Sequence, residues 1–179
     1  AIDLLSQAEH GPDSQVILTT DSASLAAAVN TEVEKLLARL SRSETTAKAL
    51  EHAAIVLVND IDDAIAVSER YAPEHLIIQT RDAEQVAARI TTAGSVFVGH
   101  YTPESLGDYV SGTNHTLPTG GWARTASGLA VVDFMRRMTV QTASPAGLAE
   151  LGPAGACIAA HEGLDAHRLA IELRLGGSS

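Results

Sequence analysis

The sequence predicts an α/β protein with a Rossmann-like, largely parallel sheet with flanking helices, followed by a C-terminal helical appendage. Short β-branched runs alternate with amphipathic helical patterns through the first hundred residues, and the connections between them are short. The composition agrees, because 45% of the 179 residues are hydrophobic and only 3% are aromatic. Small aliphatic side chains of this kind suit helices that pack closely on a parallel sheet.

Strands are predicted where aliphatic and β-branched runs stand between turn signals, at 16–20, 54–60, 75–80 and 95–99. Helices are predicted between them, where apolar residues recur at helical spacing, at 21–41, 43–53, 61–72 and 81–93. Asp21 or Ser22 can cap the first of these helices, Ser43 the second and Asp60 the third. The strict alternation of strand and helix predicts parallel pairing.

The amino-acid composition of the chain changes after residue 99. The segment 99–128 is rich in Gly, Ser, Thr and Pro but also carries His, Asp and aromatic residues, which is typical of a functional loop. A short helix and a strand are predicted within 129–144, and two helices split near Gly163 are predicted after it. We therefore expect an α/β half over 1–144 and a helical tail over 145–179.

Composition narrows the function classes. The formal net charge is −10 and the nearest basic cluster is the pair Arg136-Arg137, so a nucleic-acid partner is not expected. No apolar run approaches the roughly 20 residues that a membrane helix needs, so a membrane partner is not expected either. We expect a cytoplasmic location, since a single cysteine fits a reducing compartment. The single cysteine, Cys157, excludes a Cys-based zinc cluster and is expected to be a buried packing residue. No glycine-rich nucleotide motif is present.

Two pairs of polar residues stand out in the first half of the chain. Gln7 and His10 are spaced i, i+3, so on a helix both side chains reach one point, as two metal ligands or as an ordinary solvated helix end. Glu74 and His75 follow Pro73 at the entrance to a strand. A neighbouring carboxylate and imidazole can carry out acid–base catalysis, although a capping or salt-bridging glutamate is an equally simple interpretation.

Further candidates lie in the second half. Asp108 and His115 have glycine-rich surroundings, which let a backbone approach a ligand closely, and either residue can also be a turn residue. Glu162 and His167 lie about one and a half helical turns apart. An unbroken helix would point these two side chains apart, so they converge only around a third object or if a helix begins after Gly163.

Together these segments resemble one family, histidinol dehydrogenase, which catalyses the last step of histidine biosynthesis. The motifs that carry the resemblance are DLLSQAEHGPDSQ, YAPEHL, GSVFVG, PESLGDYVSGTNHTLPT and LDAH, and they span nearly the whole chain in the family's order. The resemblance implies a zinc-dependent, NAD-linked oxidation of L-histidinol through an aldehyde, histidinal, to L-histidine. It also implies an intertwined homodimer that shares its active sites between subunits.

The resemblance implies a role for each candidate residue. Four are implied zinc ligands, the last from the partner subunit: Gln7, His10, Asp108 and His167. Glu74 and His75 are the implied acid–base pair, in which Glu74 activates water at the aldehyde stage and His75 shuttles protons. Contacts to the substrate are implied for Gln7, His10, His75, Asp108, His115, Glu162 and His167, with Glu162 also supplied by the partner.

The chain also departs from the family, whose members are more than twice as long. The resemblance begins partway through them, so the preceding half, which holds most of the NAD site, has no counterpart here. We therefore expect a C-terminal portion that has little turnover alone and that has the missing N-terminal half as a possible partner. The alternatives are a non-catalytic module that binds zinc and histidinol, and a metal-free structural fragment.

Overall fold

The chain divides into two compact units. The computed structural model describes residues 1–176. The first unit is Ala1–Phe134, and the second is Met135–Ser179, described as far as residue 176.

The first unit contains four short strands in two parallel pairs. Strand β1 (Ile17–Thr20) pairs with β2 (Ala54–Leu57), and β3 (His75–Ile78) pairs with β4 (Ser95–Val98). The α/β class with parallel strands is confirmed. Within residues 1–176 the two pairs form separate two-stranded sheets, so the single larger sheet that the alternation suggests is not present there.

Six helices surround these strands. They are α1 (Ile2–Ala8), α2 (Ala23–Leu37), α3 (Ser43–Leu50), α4 (Ile61–Tyr71), α5 (Ala83–Ala87) and α6 (Ser105–Tyr109). Two predicted caps are confirmed: Ser22 accepts a hydrogen bond from the backbone of Leu25, and Asp60 accepts one from Asp63. The predicted Ser43 cap is wrong, since Ser43 is the first helical residue of α3.

Helix α5 is much shorter than the predicted 81–93. The backbone N–H groups of Thr91 and Thr92 donate to the Glu69 carboxylate of α4, at 2.7 and 3.1 Å, instead of continuing the helix. The helix has already ended at Ala87, where the N–H groups of Arg89 and Ile90 donate to carbonyls three residues back and tighten the last turn.

The first unit contains two separate buried clusters, one beside each pair of strands. One buried cluster joins α1, α3 and the start of β1, and consists of Ala8, Val16 and Ala49. The other joins β3 and α5 and consists of Ile78, Ala83 and Val86. Each pair of strands therefore has its own small aliphatic core.

After β4 the rest of the first unit is mostly irregular. Besides α6 it forms short 3-10 helices at Trp122–Arg124 and Val131–Phe134. The short helix predicted within 129–144 corresponds to the second of these, whereas the strand predicted there is not formed.

The second unit is a pair of helices. Helix α7 (Pro145–His161) and helix α8 (Asp165–Glu172) are joined through Gly163, whose φ of 71° suits glycine. Cys157 is exposed, so the prediction that it is buried is wrong. Helix α7 buries a stripe of small residues that includes Ala156 and Ala159, and Cys157 lies beside that stripe, not within it.

Among residues 1–176, no helix combines the length and the apolar character that crossing a membrane requires.

Candidate metal and acid–base site

Helix α1 carries the first two candidate ligands and is held in place at two points. Ser6 donates a hydrogen bond to a Glu104 oxygen at 3.3 Å, and Gln79, just after β3, donates one to Asp3 at 3.2 Å. Gln7 is partly buried near the end of this helix, and His10 is exposed in the turn that follows. The placement of α1 therefore presents Gln7 and His10 near the loop that follows β4.

Helix α6 supplies two carboxylates from one turn. Glu104 precedes the helix and Asp108 lies within it, and the i, i+4 spacing puts both on one face. Gly107 lets this helix approach the sheet, because a Cβ there would lie 2.7 Å from the ring of Phe97. Glu104 is 2% exposed, whereas Asp108 is partly exposed.

Three residues from these two segments converge. Single ligand atoms of His10, Glu104 and Asp108 all lie within 4.8 Å of one another. Imidazole nitrogen and carboxylate oxygen are donors that zinc accepts without any thiolate. The chemistry and the spacing of this group therefore fit a metal ion such as zinc.

The candidate acid–base pair borders the same group. His75 begins β3, its side chain is 10% exposed, and its Nε2 lies 3.9 Å from Glu104 Oε1. Its ring also lies against Phe97, with centroids 5.9 Å apart. Glu74 is partly buried, and its carbonyl accepts the Ser95 N–H at 2.8 Å, which fixes the backbone at the start of the strand.

Burial sets the charge states at this site. It lowers the pKa of His75, and although the Glu74 and Asp108 carboxylates favour the protonated ring, the net shift is downward. The imidazole is therefore neutral at pH 7, with one N–H donor and one acceptor nitrogen. Burial also raises the pKa of Glu104, and the neighbouring Asp108 raises it further.

The other predicted residues lie outside this group. His115 is exposed in the loop that precedes the Trp122–Arg124 turn. Glu162 caps the end of α7 and His167 lies in the first turn of α8, and both are exposed. Since α7 ends before Gly163 and α8 begins after it, the two side chains are not on one unbroken helix.

Glu104 was missed by sequence reasoning. It lies inside the motif PESLGDYVSGTNHTLPT, four residues before Asp108. That spacing on a short helix was the signal that could have found it.

Comparison with known proteins identifies the family. The family model described as histidinol dehydrogenase matches residues 1–175. The chain belongs to the histidinol dehydrogenase family. It is 57% identical over 175 residues to the histidinol dehydrogenase of Shewanella oneidensis, covering 98% of this chain and 40% of the relative.

Other members of the family agree. The histidinol dehydrogenase of Idiomarina loihiensis is 56% identical over 174 residues, covering 97% of this chain and 39% of that protein. The crystal structure of histidinol dehydrogenase from Elizabethkingia anophelis superposes with a TM-score of 0.88 at 43% identity, covering 98% of this chain and 40% of that one. The chain thus spans about 40% of the length of the histidinol dehydrogenases that it matches.

Proposed function

We propose that this chain provides the zinc-binding, acid–base and substrate-binding residues of a histidinol dehydrogenase, which oxidises L-histidinol to L-histidine. The observation that carries the proposal is the convergence of His10, Glu104 and Asp108 beside the buried His75. Membership in the family supports the proposed reaction, and the convergence of these side chains supports its proposed location.

The residues proposed to hold zinc are Gln7, His10 and Asp108, with His167 of a second copy as the fourth ligand. His10 and Asp108 lie together, and Gln7, in the last turn of α1, is three residues before His10. When bound, zinc would supply a Lewis acid that can take nitrogen ligands from the substrate and stabilise negative charge nearby.

Acid–base chemistry is assigned to the two residues at the start of β3. The neutral His75 ring would accept the hydroxyl proton of histidinol in the oxidation to histidinal, for which NAD would supply the hydride acceptor. Glu74 would take a proton from the water that adds to the aldehyde carbon, and a second NAD would accept the hydride lost when the hydrate becomes the acid. The lowered pKa of His75 suits this role, because the ring is free to accept a proton at neutral pH.

The substrate and partner residues are assigned on the same basis. His115, Glu162 and His167 are proposed to contact histidinol, the last two from the other subunit of a homodimer. Support comes from the start of the second unit and the residues before it, where large apolar side chains are 73–81% exposed: Val131, Phe134, Met138 and Val140. Apolar surface of this extent favours burial against another chain, here a second copy.

NAD is the proposed electron acceptor, with its site largely in the part of the family sequence that this chain does not match. We therefore propose that the 179 residues alone show little or no turnover.

Zinc binding tests this function directly. The chain is expected to bind zinc, measured by elemental analysis and chelator competition, and L-histidinol is expected to tighten the binding. His10→Ala and Asp108→Asn should each lower the affinity at least about 100-fold, because each removes a direct ligand, whereas removing an outer partner costs 10–100-fold. His52→Ala, which replaces another exposed histidine, is the matched control.

Each assignment has its own contrary result. If the chain binds neither zinc nor histidinol, it is a structural fragment. If a full-length relative that carries Glu74→Gln keeps its rate, the acid–base assignment of Glu74 is wrong. NAD reduction by the chain alone would contradict the proposed lack of turnover.

A further inference from the structure

The Glu104 carboxylate is almost completely buried yet only half satisfied. One oxygen accepts a hydrogen bond from Ser6 at 3.3 Å, and the other, Oε1, has no hydrogen-bond partner. Buried carboxylates are normally paired with several donors, because each unpaired oxygen loses its hydration without replacement. The Oε1 atom is therefore in need of a donor from its surroundings.

Suitable donors are close by and are themselves unpaired. Six buried side-chain nitrogen or oxygen atoms lack a partner within residues 1–176. Four of the six belong to this site: Gln7 Nε2, His75 Nδ1, His75 Nε2 and Glu104 Oε1. An amide NH₂ and a neutral imidazole both donate, whereas a carboxylate oxygen only accepts, so the set is chemically complementary.

The distances allow this set to close with small movements. His75 Nε2 lies 3.9 Å from Glu104 Oε1, about 0.7 Å beyond the upper end of the usual N–H···O range. The Gln7 side chain lies within reach of the same carboxyl group, since a hydrogen bond from it works to lower the pKa of Glu104. On its other side Glu104 faces His10 and Asp108.

We propose that Glu104 is a positioning residue that accepts hydrogen bonds from the Gln7 amide and from His75 Nε2. The first contact turns the Gln7 oxygen toward the proposed ion, and the second fixes His75 in one tautomer. Carboxylates that orient metal ligands in this way are the usual outer layer of a metal site. This inference rests on the proposed function, in which Gln7 is a ligand and His75 the base.

The tautomer of His75 is the first test and requires no metal. In the metal-free wild-type chain, nitrogen-detected NMR of the histidine side chains should show the ring proton on Nε2, with the signal identified by its loss in His75→Asn. A ring proton on Nδ1 overturns the proposal, whether or not the chain binds zinc.

The second test uses Glu104→Gln, which keeps the size of the side chain but retains only one acceptor oxygen. The His75 signals should shift, and zinc affinity in chelator competition should fall 10–100-fold. The matched control is Glu84→Gln, an exposed carboxylate on α5, which should change neither. A merely structural role predicts that the similarly shaped glutamine behaves as wild type.

The outcomes separate the two proposals. Zinc binding by wild type with unchanged affinity in Glu104→Gln overturns the positioning role and leaves the proposed function intact. If the wild-type chain binds no zinc, that result counts against the proposed function. The tautomer of His75 then still tests whether His75 Nε2 donates to Glu104. Complete loss of zinc in a folded Glu104→Gln makes Glu104 a ligand and overturns a role in positioning alone.

Discussion

The two units of the chain hold their candidate residues in opposite ways. The first unit buries Glu104 and His75 and leaves polar atoms of both without partners. The second unit places Glu162 and His167 on exposed helix ends. Burying polar groups without hydrogen-bond partners destabilises the folded chain, so such groups are common where a bound ligand offsets that cost. Exposed groups carry no such cost and can contact another surface. The first unit thus leaves buried polar atoms available to a ligand, whereas the candidate residues of the second unit are exposed.

Among the changes that test this difference between the two units, replacing His167 is expected to have the largest effect. If His167 of a second copy is a zinc ligand, His167→Ala should lower zinc affinity at least about 100-fold, more than the loss of an outer partner. The wild-type affinity should also rise with protein concentration, since two chains then form the site. Both are measured by chelator competition at several protein concentrations.

His161→Ala is the control for that measurement, because it removes another exposed histidine from the same unit. Equal affinity in the two variants and the wild type would show that His167 is not a ligand of the ion.

Glycine substitutions should affect the two units in opposite directions. A Cβ at Gly94 would lie 2.6 Å from the backbone oxygen of Glu74, a contact that no side-chain rotation relieves. Gly94→Ala should therefore destabilise the chain by about 2 kcal/mol, as overpacking does. A Cβ at Gly147 meets only Ser144 Oγ, at 3.4 Å, and Gly147→Ala should stabilise α7 by about 0.5–1 kcal/mol.

Denaturant unfolding of both variants checks this expectation. A Gly94→Ala chain as stable as wild type would mean that the backbone around Glu74 is not held as tightly as its contacts indicate.

Acid should weaken the first unit through Glu69, by a smaller amount. Burial works to raise the pKa of Glu69, but hydrogen bonds from Thr91 and Thr92 outweigh it and lower the pKa to about 2 from 4.5. Because the folded value is the lower one, this stabilisation is present above pH 4.5 and is lost as the pH falls toward 2.

Glu69→Gln should therefore reduce stability by about 1 kcal/mol at pH 7, a value that allows for solvent screening of a partly exposed group. The variant and the wild type should converge near pH 2 in unfolding experiments across pH. A constant difference at all pH values would show that the carboxylate charge is not responsible.

Local signals predicted much of the fold. Ser22 and Asp60 cap helices because a short polar side chain before an apolar helical pattern has that effect in almost any context. The contacts of Thr91 and Thr92 with Glu69, which follow the end of α5, were not predictable because Glu69 is more than twenty residues away in the sequence. The separation of the strands into two pairs likewise depends on which strands meet in space.

The site was predictable only in part. The family motifs drew attention to His10, His75 and Asp108, which the structure places around one group. Glu104 escaped because a glutamate in a loop is normally solvated, and its burial comes from the packing of α6 against the sheet. The burial of Cys157 was predicted from its apolar neighbours, which do not reveal the face of α7 on which it lies.

The contact between Phe97 and Gly107 also limits how this sequence can change. The Phe97 ring contacts His75, and it also lies so close to Gly107 of α6 that a Cβ there would be 2.7 Å away. A larger residue at 107 requires a smaller one at 97, and a smaller residue at 97 removes the support of His75. Positions 97 and 107 are therefore expected to vary together or not at all, and redesign of this region should treat them as a single unit.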